Sequence, residues 1–260
     1  MKKVLLCAMA ALMFASCQEN NSELNASGEG RIAITASASG EVATRAESGI
    51  DIPAPALADF SLKITGQAGT VTESFEKSWT SLSNYRTDDE RYLAGYYNVA
   101  ISNGDATVEG YYSPCFTASQ SIEVLNRNRT TNVELVATVA NAIVLVQTTE
   151  AFDKYFPQSE FTVTTATNTI TVDKDATEHL VIAPQNGVKV DCTCVRQSNL
   201  ATGKTETLAT QTIATAKAAT RYIIKYDLST AGGINVVITL NDSILNSTPV
   251  DTNTELNPNA

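Results

Sequence analysis

Histidine and tryptophan are almost absent: the 260 residues hold one of each, His179 and Trp79. A Ser-His-Asp triad would have to use His179, and no G-x-S-x-G elbow accompanies any serine. Cysteine is also scarce, with five in all. Cys7 lies inside the N-terminal apolar stretch and Cys17 ends it. Cys115, Cys192 and Cys194 remain, an odd set that gives no disulfide framework. The one close pair is C-x-C rather than C-x-x-C, so a zinc site is not expected. Burial as small apolar residues is the commoner fate of free cysteines. Whether Cys115 pairs with Cys192 or Cys194 stays open. Basic residues are outnumbered, 18 against 28, for a net charge of −10. That argues against nucleic acid, which needs a basic footprint, and against adsorption to anionic headgroups. There is no Gly-rich phosphate loop and no heptad pattern. Neither catalysis nor a cofactor is expected from these residues.

What is present begins at the N-terminus, in MKKVLLCAMAALMFASCQENNSE. Lys2 and Lys3 precede an apolar run from Val4 to Phe14. The run is too short to span a bilayer, which takes roughly 20 residues. It reads as a secretory signal. Phe14-Ala15-Ser16-Cys17 resembles a bacterial lipobox, with Phe14 where a branched aliphatic residue is usual. The resemblance implies lipidation of Cys17, palmitate among the acyl chains, and a mature chain that starts there. Two or more chains anchor firmly, at about 0.8 kcal/mol per buried methylene. Residues 1–17 are therefore expected to be a lipoprotein signal. Residues 18–30, polar and acidic, are expected to be a flexible tether. The expected location is the cell envelope, lipid-anchored at the outer membrane and surface-exposed.

The remaining body, about 240 residues, suits one large or two small domains. It reads as strands nearly throughout. FSLKIT (60–65), YNVAI (97–101), TNVELV (131–136), FTVTT (161–165) and INVVITL (234–240) alternate apolar and polar side chains. Period-two alternation rich in Val, Ile, Thr, Tyr and Phe is the half-buried strand signal. Turn dipeptides separate the runs, as in sandwiches rather than alternating α/β folds. Helix is expected only at TEAFDKYF (149–156), where Phe152 and Phe156 share a face and Pro157 ends the turn. Residues 204–219 read as either helix or strand and loop. The fold class is all-β, with one or two antiparallel sandwiches. A boundary near Val139 to Asn141 divides the body into 31–140 and 141–260.

YLAGYYNVA (92–100), followed by Ser102-Asn103-Gly104, carries a resemblance. It is similar to the L-x-x-G-x-Y-x-V turn-strand of transthyretin-like sandwiches. Gly95 permits a positive φ, and Tyr97 and Val99 then enter the core together. With GYY (110–112), TNVELVATVA (131–140) and FDKYF (152–156), the chain resembles a Bacteroidetes lipoprotein domain family of unknown function, fimbrillin-like in style. The resemblance implies a surface protein with a structural or adhesive role and transthyretin-like sandwiches. It also implies assembly by β-strand addition after an Arg-directed cut removes the first strand. Arg45-Ala46, just after the first strand, is the position that fits such a cut; the plainer reading is an uncut, solvated linker arginine. The donor strand would come from residues 234–258.

The alternative function is a surface glycan-binding accessory lipoprotein. Trp79, Tyr96, Tyr111 and Tyr112 are its candidate ligand-surface aromatics. In a strand, Tyr96-Tyr97 and Tyr111-Tyr112 each place one ring on each face. Aromatics in strands more often serve core or cross-strand packing. Expected partners are thus the membrane, through the N-terminal lipid, and other surface-protein subunits or glycans. Asp88-Asp89-Glu90 supplies too few oxygen ligands for calcium and reads as a solvated turn. His179 reads as an exposed turn residue.

Overall fold

A computed structural model describes residues 28–40, 52–125, 128–173, 176–228, 234–240 and 243–250. Cys17, Arg45 and Ala46 lie outside the described residues. Among the described residues the chain is all-β with one α-helical turn. The first eight strands are β1 Glu29–Ser39, β2 Ser61–Gly66, β3 Glu76–Trp79, β4 Tyr92–Leu93, β5 Gly95–Asn103, β6 Gly110–Tyr112, β7 Phe116–Val124 and β8 Thr130–Val139. All but β6 form a seven-stranded sheet in the order β3-β2-β5-β7-β8-β1-β4. β7 and β8 pair only at Phe116↔Val139 and Thr117↔Thr138. Beyond that corner, Val99 and Ile122 on one side and Val133, Leu135 and Ile32 on the other enter a single buried cluster. The sheet therefore closes on itself as two packed layers.

The second half follows the same logic. It contains β9 Ala142–Thr148, α1 Glu150–Tyr155, β10 Gln158–Thr164, β11 Thr169–Thr171, β12 His179–Ile182 and β13 Val188–Val195. Then come β14 Thr205–Thr207, β15 Gln211–Ile213, β16 Thr220–Leu228, β17 Ile234–Leu240 and β18 Ser243–Val250. One sheet runs β11-β10-β13-β14, with β15 also paired to β13; the other runs β18-β17-β16-β9-β12-β6. Phe161, Val163, Val190, Cys192 and Cys194 from the first sheet meet Val144, Leu180, Tyr222 and Ile224 from the second. Cys192 and Cys194 share the core face, as their spacing dictates, and none of the buried cysteines Cys115, Cys192 and Cys194 is in a disulfide.

α1 is capped by the Thr149 side chain, which accepts from the Phe152 N–H at 3.3 Å. Phe152, Phe156, Phe161 and Tyr226 then stack at ring-centroid separations between 4.9 and 6.4 Å. Such pairs add about 0.5–1.5 kcal/mol each beyond area burial. Residues 204–219 hold β14, β15 and loop. Threonine and the strand partners offered by β13 outweigh the helical preference of alanine there.

Three features were not visible in the alternation pattern. Among the described residues two pairs are parallel: β1 with β8 over nine positions, and β9 with β16 over seven. β6, from the first half of the chain, joins the second half's sheet beside β12. β9 faces both ways, with Ile143 in the first core cluster and Val144 in the second. The tether expectation also needs correction at its end. Glu29 and Gly30 belong to β1 and pair with Leu93 and Tyr92. Gly30 allows this because a Cβ there would lie 2.5 Å from the Leu125 carbonyl oxygen.

The YLAGYYNVA reading agrees with the geometry. Gly95 has φ +155°, and a Cβ would lie 2.5 Å from the Thr72 methyl. Tyr97 and Val99 are fully buried while Tyr96 is 38% exposed.

Candidate functional site

The strand arrangement brings two sets of side chains together where β6 and β12 form the edge of the six-stranded sheet. Tyr112 and His179 are direct cross-strand partners on one face. Tyr111 and Leu180, the next pair, point the other way, toward the second core. This is the period-two consequence of adjacent tyrosines in a strand.

On the outer face, a cavity of about 470 Å³ opens beside Tyr112 and His179. Its opposite wall comes from the first half, through Ile52, Pro53, Asp59 and Asn103. Tyr112 is 50% exposed. Its ring lies over Gly110, where a Cβ would sit 2.8 Å from the ring Cε2. Gly110 also has φ +137°, so this position suits glycine on both counts. Asn103 donates from Nδ2 to the Asp59 carbonyl at 3.0 Å, which fixes its side chain at the rim. Neither the Asp59 nor the Glu178 carboxylate has an ion-pair partner among the described residues.

A second cavity, about 230 Å³, lies around Tyr111, Asp173, Glu178, His179 and Arg221. The Tyr111 hydroxyl donates to the Asp173 carbonyl at 3.1 Å and accepts from its N–H at 2.7 Å. Arg221 has a buried Nε with no hydrogen-bond partner among the described residues. Burial lowers its pKa. His179 separates the two cavities. Burial, helped by the neighbouring Arg221 charge, pushes its pKa below the usual histidine range. The ring is therefore neutral at pH 7, with one N–H donor and one acceptor nitrogen. It begins β12 and is half-buried, rather than sitting exposed in a turn.

The most tightly held polar group is one that no sequence motif marks. Glu109, immediately before β6, is only 7% exposed. Its carboxylate accepts from Thr165 Oγ1, Thr167 Oγ1 at 2.9 Å, Asn186 Nδ2 at 3.0 Å and the Ala183 N–H at 3.2 Å. Burial would raise its pKa, but these hydrogen bonds outweigh it and hold the carboxyl below the usual glutamate range. Glu109 thus fastens the incoming β6 to loops of the second half.

The four sequence-predicted aromatics do not form one surface. Trp79 is half-buried and packs edge-on against Tyr85 at 5.1 Å, with Lys77 Nζ 5.2 Å from its ring centroid. Tyr96 sits on β5, in the other sheet. Tyr111 faces the second core, and Tyr112 alone of the four lines the larger cavity. The Asp88-Asp89-Glu90 turn is partly neutralised. Lys77 donates to Glu90 at 2.7 Å, and Arg31 lies 3.7 Å from Asp88. Among the described residues no group of three His, Cys, Asp or Glu side chains could hold a metal ion. No described helix is long and apolar enough to cross a membrane.

This architecture, all-β with two buried clusters, defines the fold class. The particular family follows from the sequence: residues 28–255 match the model of a domain of unknown function, DUF4493, and the chain belongs to that family. No curated protein sequence matches the chain. Among solved structures, it is similar to a "fimbrial assembly protein" from Parabacteroides distasonis. That match has 8% identity and TM-score 0.45, covering 86% of this chain and 98% of the other. It is similar also to a "putative cell adhesion protein" from Bacteroides eggerthii, at 8% identity and TM-score 0.41, covering 82% and 95%. A third is described as "putative polysaccharide binding proteins" from Bacteroides thetaiotaomicron, at 9% identity and TM-score 0.41, covering 87% and 100%.

Proposed function

We propose that this chain is a lipid-anchored surface protein with a structural or adhesive role, assembling by β-strand addition, and not an enzyme. Cys17 carries the anchor, and residues 31–140 and 141–260 supply one sandwich each, apart from β6, which adds to the second one's sheet. The observation that supports assembly is the placement of β1. It is the first described strand, and it lies in parallel against β8 from Arg31↔Thr130 to Ser39↔Thr138. Ile32 is fully buried, while Ile34, Ala36 and Ala38 pack less completely on the same core. The Tyr85 hydroxyl donates to the Ile32 carbonyl at 2.6 Å. Among the described residues, only the short β4 covers the far side of β1.

Directly after β1, the Ile52 N–H donates to the Gly40 carbonyl at 3.2 Å, and these two residues flank residues 41–51 in the sequence. A cut at Arg45-Ala46 within that segment leaves β1 held by non-covalent contacts alone. Its departure uncovers Val133, Leu135 and Ala137 along a free β8 edge. An unpaired apolar edge is a template for another strand. The donor we propose is the C-terminal segment that includes β18, the outermost strand of its sheet. Pro249 suits such an edge, because proline cannot donate to a central ladder.

The test is the intact mass and native size of the protein taken from its own membranes, beside an Arg45→Ala variant. A mature terminus at Ala46, with large assemblies absent from the variant, supports the reading. A lipidated Cys17 terminus with monomers in both samples refutes assembly.

A further inference from the structure

We infer that the cleft between Tyr112 and the Ile52–Asp59 segment is a binding site for a neutral saccharide. The inference goes beyond strand addition and does not depend on it. Its volume, about 470 Å³, lies within the roughly 300–1,000 Å³ of small-molecule sites. An occupant of this cleft must match the chemistry of its walls. One wall is the Tyr112 ring, 50% exposed and backed by Gly110. A sugar presents an apolar C–H face to such a ring, which combines a large contact area with few rotatable bonds. Opposite it, Ile52 and Pro53 give a second apolar surface.

The polar rim carries both hydrogen-bonding senses. Asp59 and Glu178 are acceptors with no ion-pair partner among the described residues. Asn103 spends one amide N–H on the Asp59 carbonyl, which leaves its amide oxygen as an acceptor. Ser113 and the neutral His179 ring add donors. Sugar hydroxyls donate and accept at once, so they can satisfy this mixed rim. An apolar ligand would leave the carboxylates unmatched. An acidic sugar would meet them with like charge. A cationic ligand would match the carboxylates and the ring but leave the His179 and Ser113 donors unused.

The full chain carrying Arg45→Ala, solubilised in detergent, is titrated by saturation-transfer NMR. The probes are methyl β-glucopyranoside, methyl β-galactopyranoside and N-acetylglucosamine, with tetramethylammonium as the cationic probe. Expected is saturation of the ring protons of at least one sugar. Tyr112→Ala, at an exposed position, should weaken that binding at least about tenfold, the equivalent of 1.4 kcal/mol. Glu178→Gln should weaken it less, and Tyr96→Ala, on the other sheet, should leave it unchanged. Unchanged thermal melts of the variants separate loss of the site from loss of the fold. No saturation of any sugar, binding of the cation alone, or a sugar signal indifferent to both Tyr112→Ala and Glu178→Gln would overturn the inference.

Discussion

Replacing Glu109 with glutamine keeps the shape of the side chain and removes its charge. The carboxylate receives four hydrogen bonds, two at each oxygen. A glutamine can turn its oxygen toward the Ala183 N–H and Asn186 amide, which only donate there. Its N–H₂ then faces Thr165 and Thr167, whose hydroxyls can rotate to accept. The bonds survive in number but lose charge assistance. Hydrogen bonds to charged groups contribute about 1.5–3 kcal/mol against about 0.5–1.5 for neutral ones. Because the four act on one group, the losses do not sum, and the net cost is about 2 kcal/mol. For a body of this size, roughly 2–4 °C of Tm is lost per kcal/mol, so Glu109→Gln should melt about 4–8 °C lower. Glu109→Ala should fall further, since all four donors lose their partner.

The pH dependence gives a second reading of the same group. Its folded pKa lies below the ordinary 4.5. Its stabilisation is therefore complete above that value and is lost as pH falls through the folded value. Melting curves from pH 7 down to pH 3 should show a shallower acid decline for Glu109→Gln than for the parent. Equal Tm values at pH 7, with superimposable acid limbs, would refute the reasoning that this carboxylate stitches β6 to the second half.

Other perturbations follow from the second core. Phe152 is fully buried and touches three aromatic rings, so Phe152→Ala should cost about 3–5 kcal/mol in denaturant unfolding. The Tyr226 hydroxyl is buried without a hydrogen-bond partner among the described residues. Tyr226→Phe should therefore stabilise the protein by about 1 kcal/mol, read as a Tm raised by roughly 2–4 °C. A lower Tm would mean that this hydroxyl has a partner after all.

Strands that bury one face were legible in the sequence. FSLKIT and YNVAI show it directly, with Phe60, Leu62, Ile64, Tyr97, Val99 and Ile101 all buried. The α1 turn was legible through its phenylalanine spacing and the following proline. Pairing partners were not. Alternation fixes which face of a strand is buried but says nothing of its neighbour's direction, so both parallel pairs were hidden. The site was less legible still. Tyr112 was marked by the tyrosine doublet, but Asp59, Asn103, Glu178 and His179 reach it from distant positions in the chain. Glu109 escaped notice because all its partners lie in residues 165–186, far along the sequence. Arg221 carried a faint signal: in RYIIKYD it shares a face with Ile223 and Lys225, opposite the buried Tyr222, Ile224 and Tyr226.

The central claim is that β1 leaves its place beside β8 when subunits assemble. Ser37 and Val136 are Cα partners in that parallel pair, and both side chains are exposed. A Ser37→Cys, Val136→Cys variant, oxidised, ties the two strands covalently. The measurement is the native size of protease-treated protein before and after reduction. The account predicts monomers while the disulfide holds and large assemblies once it is reduced. Assemblies of equal size in the oxidised and reduced samples, or none in either, would contradict it.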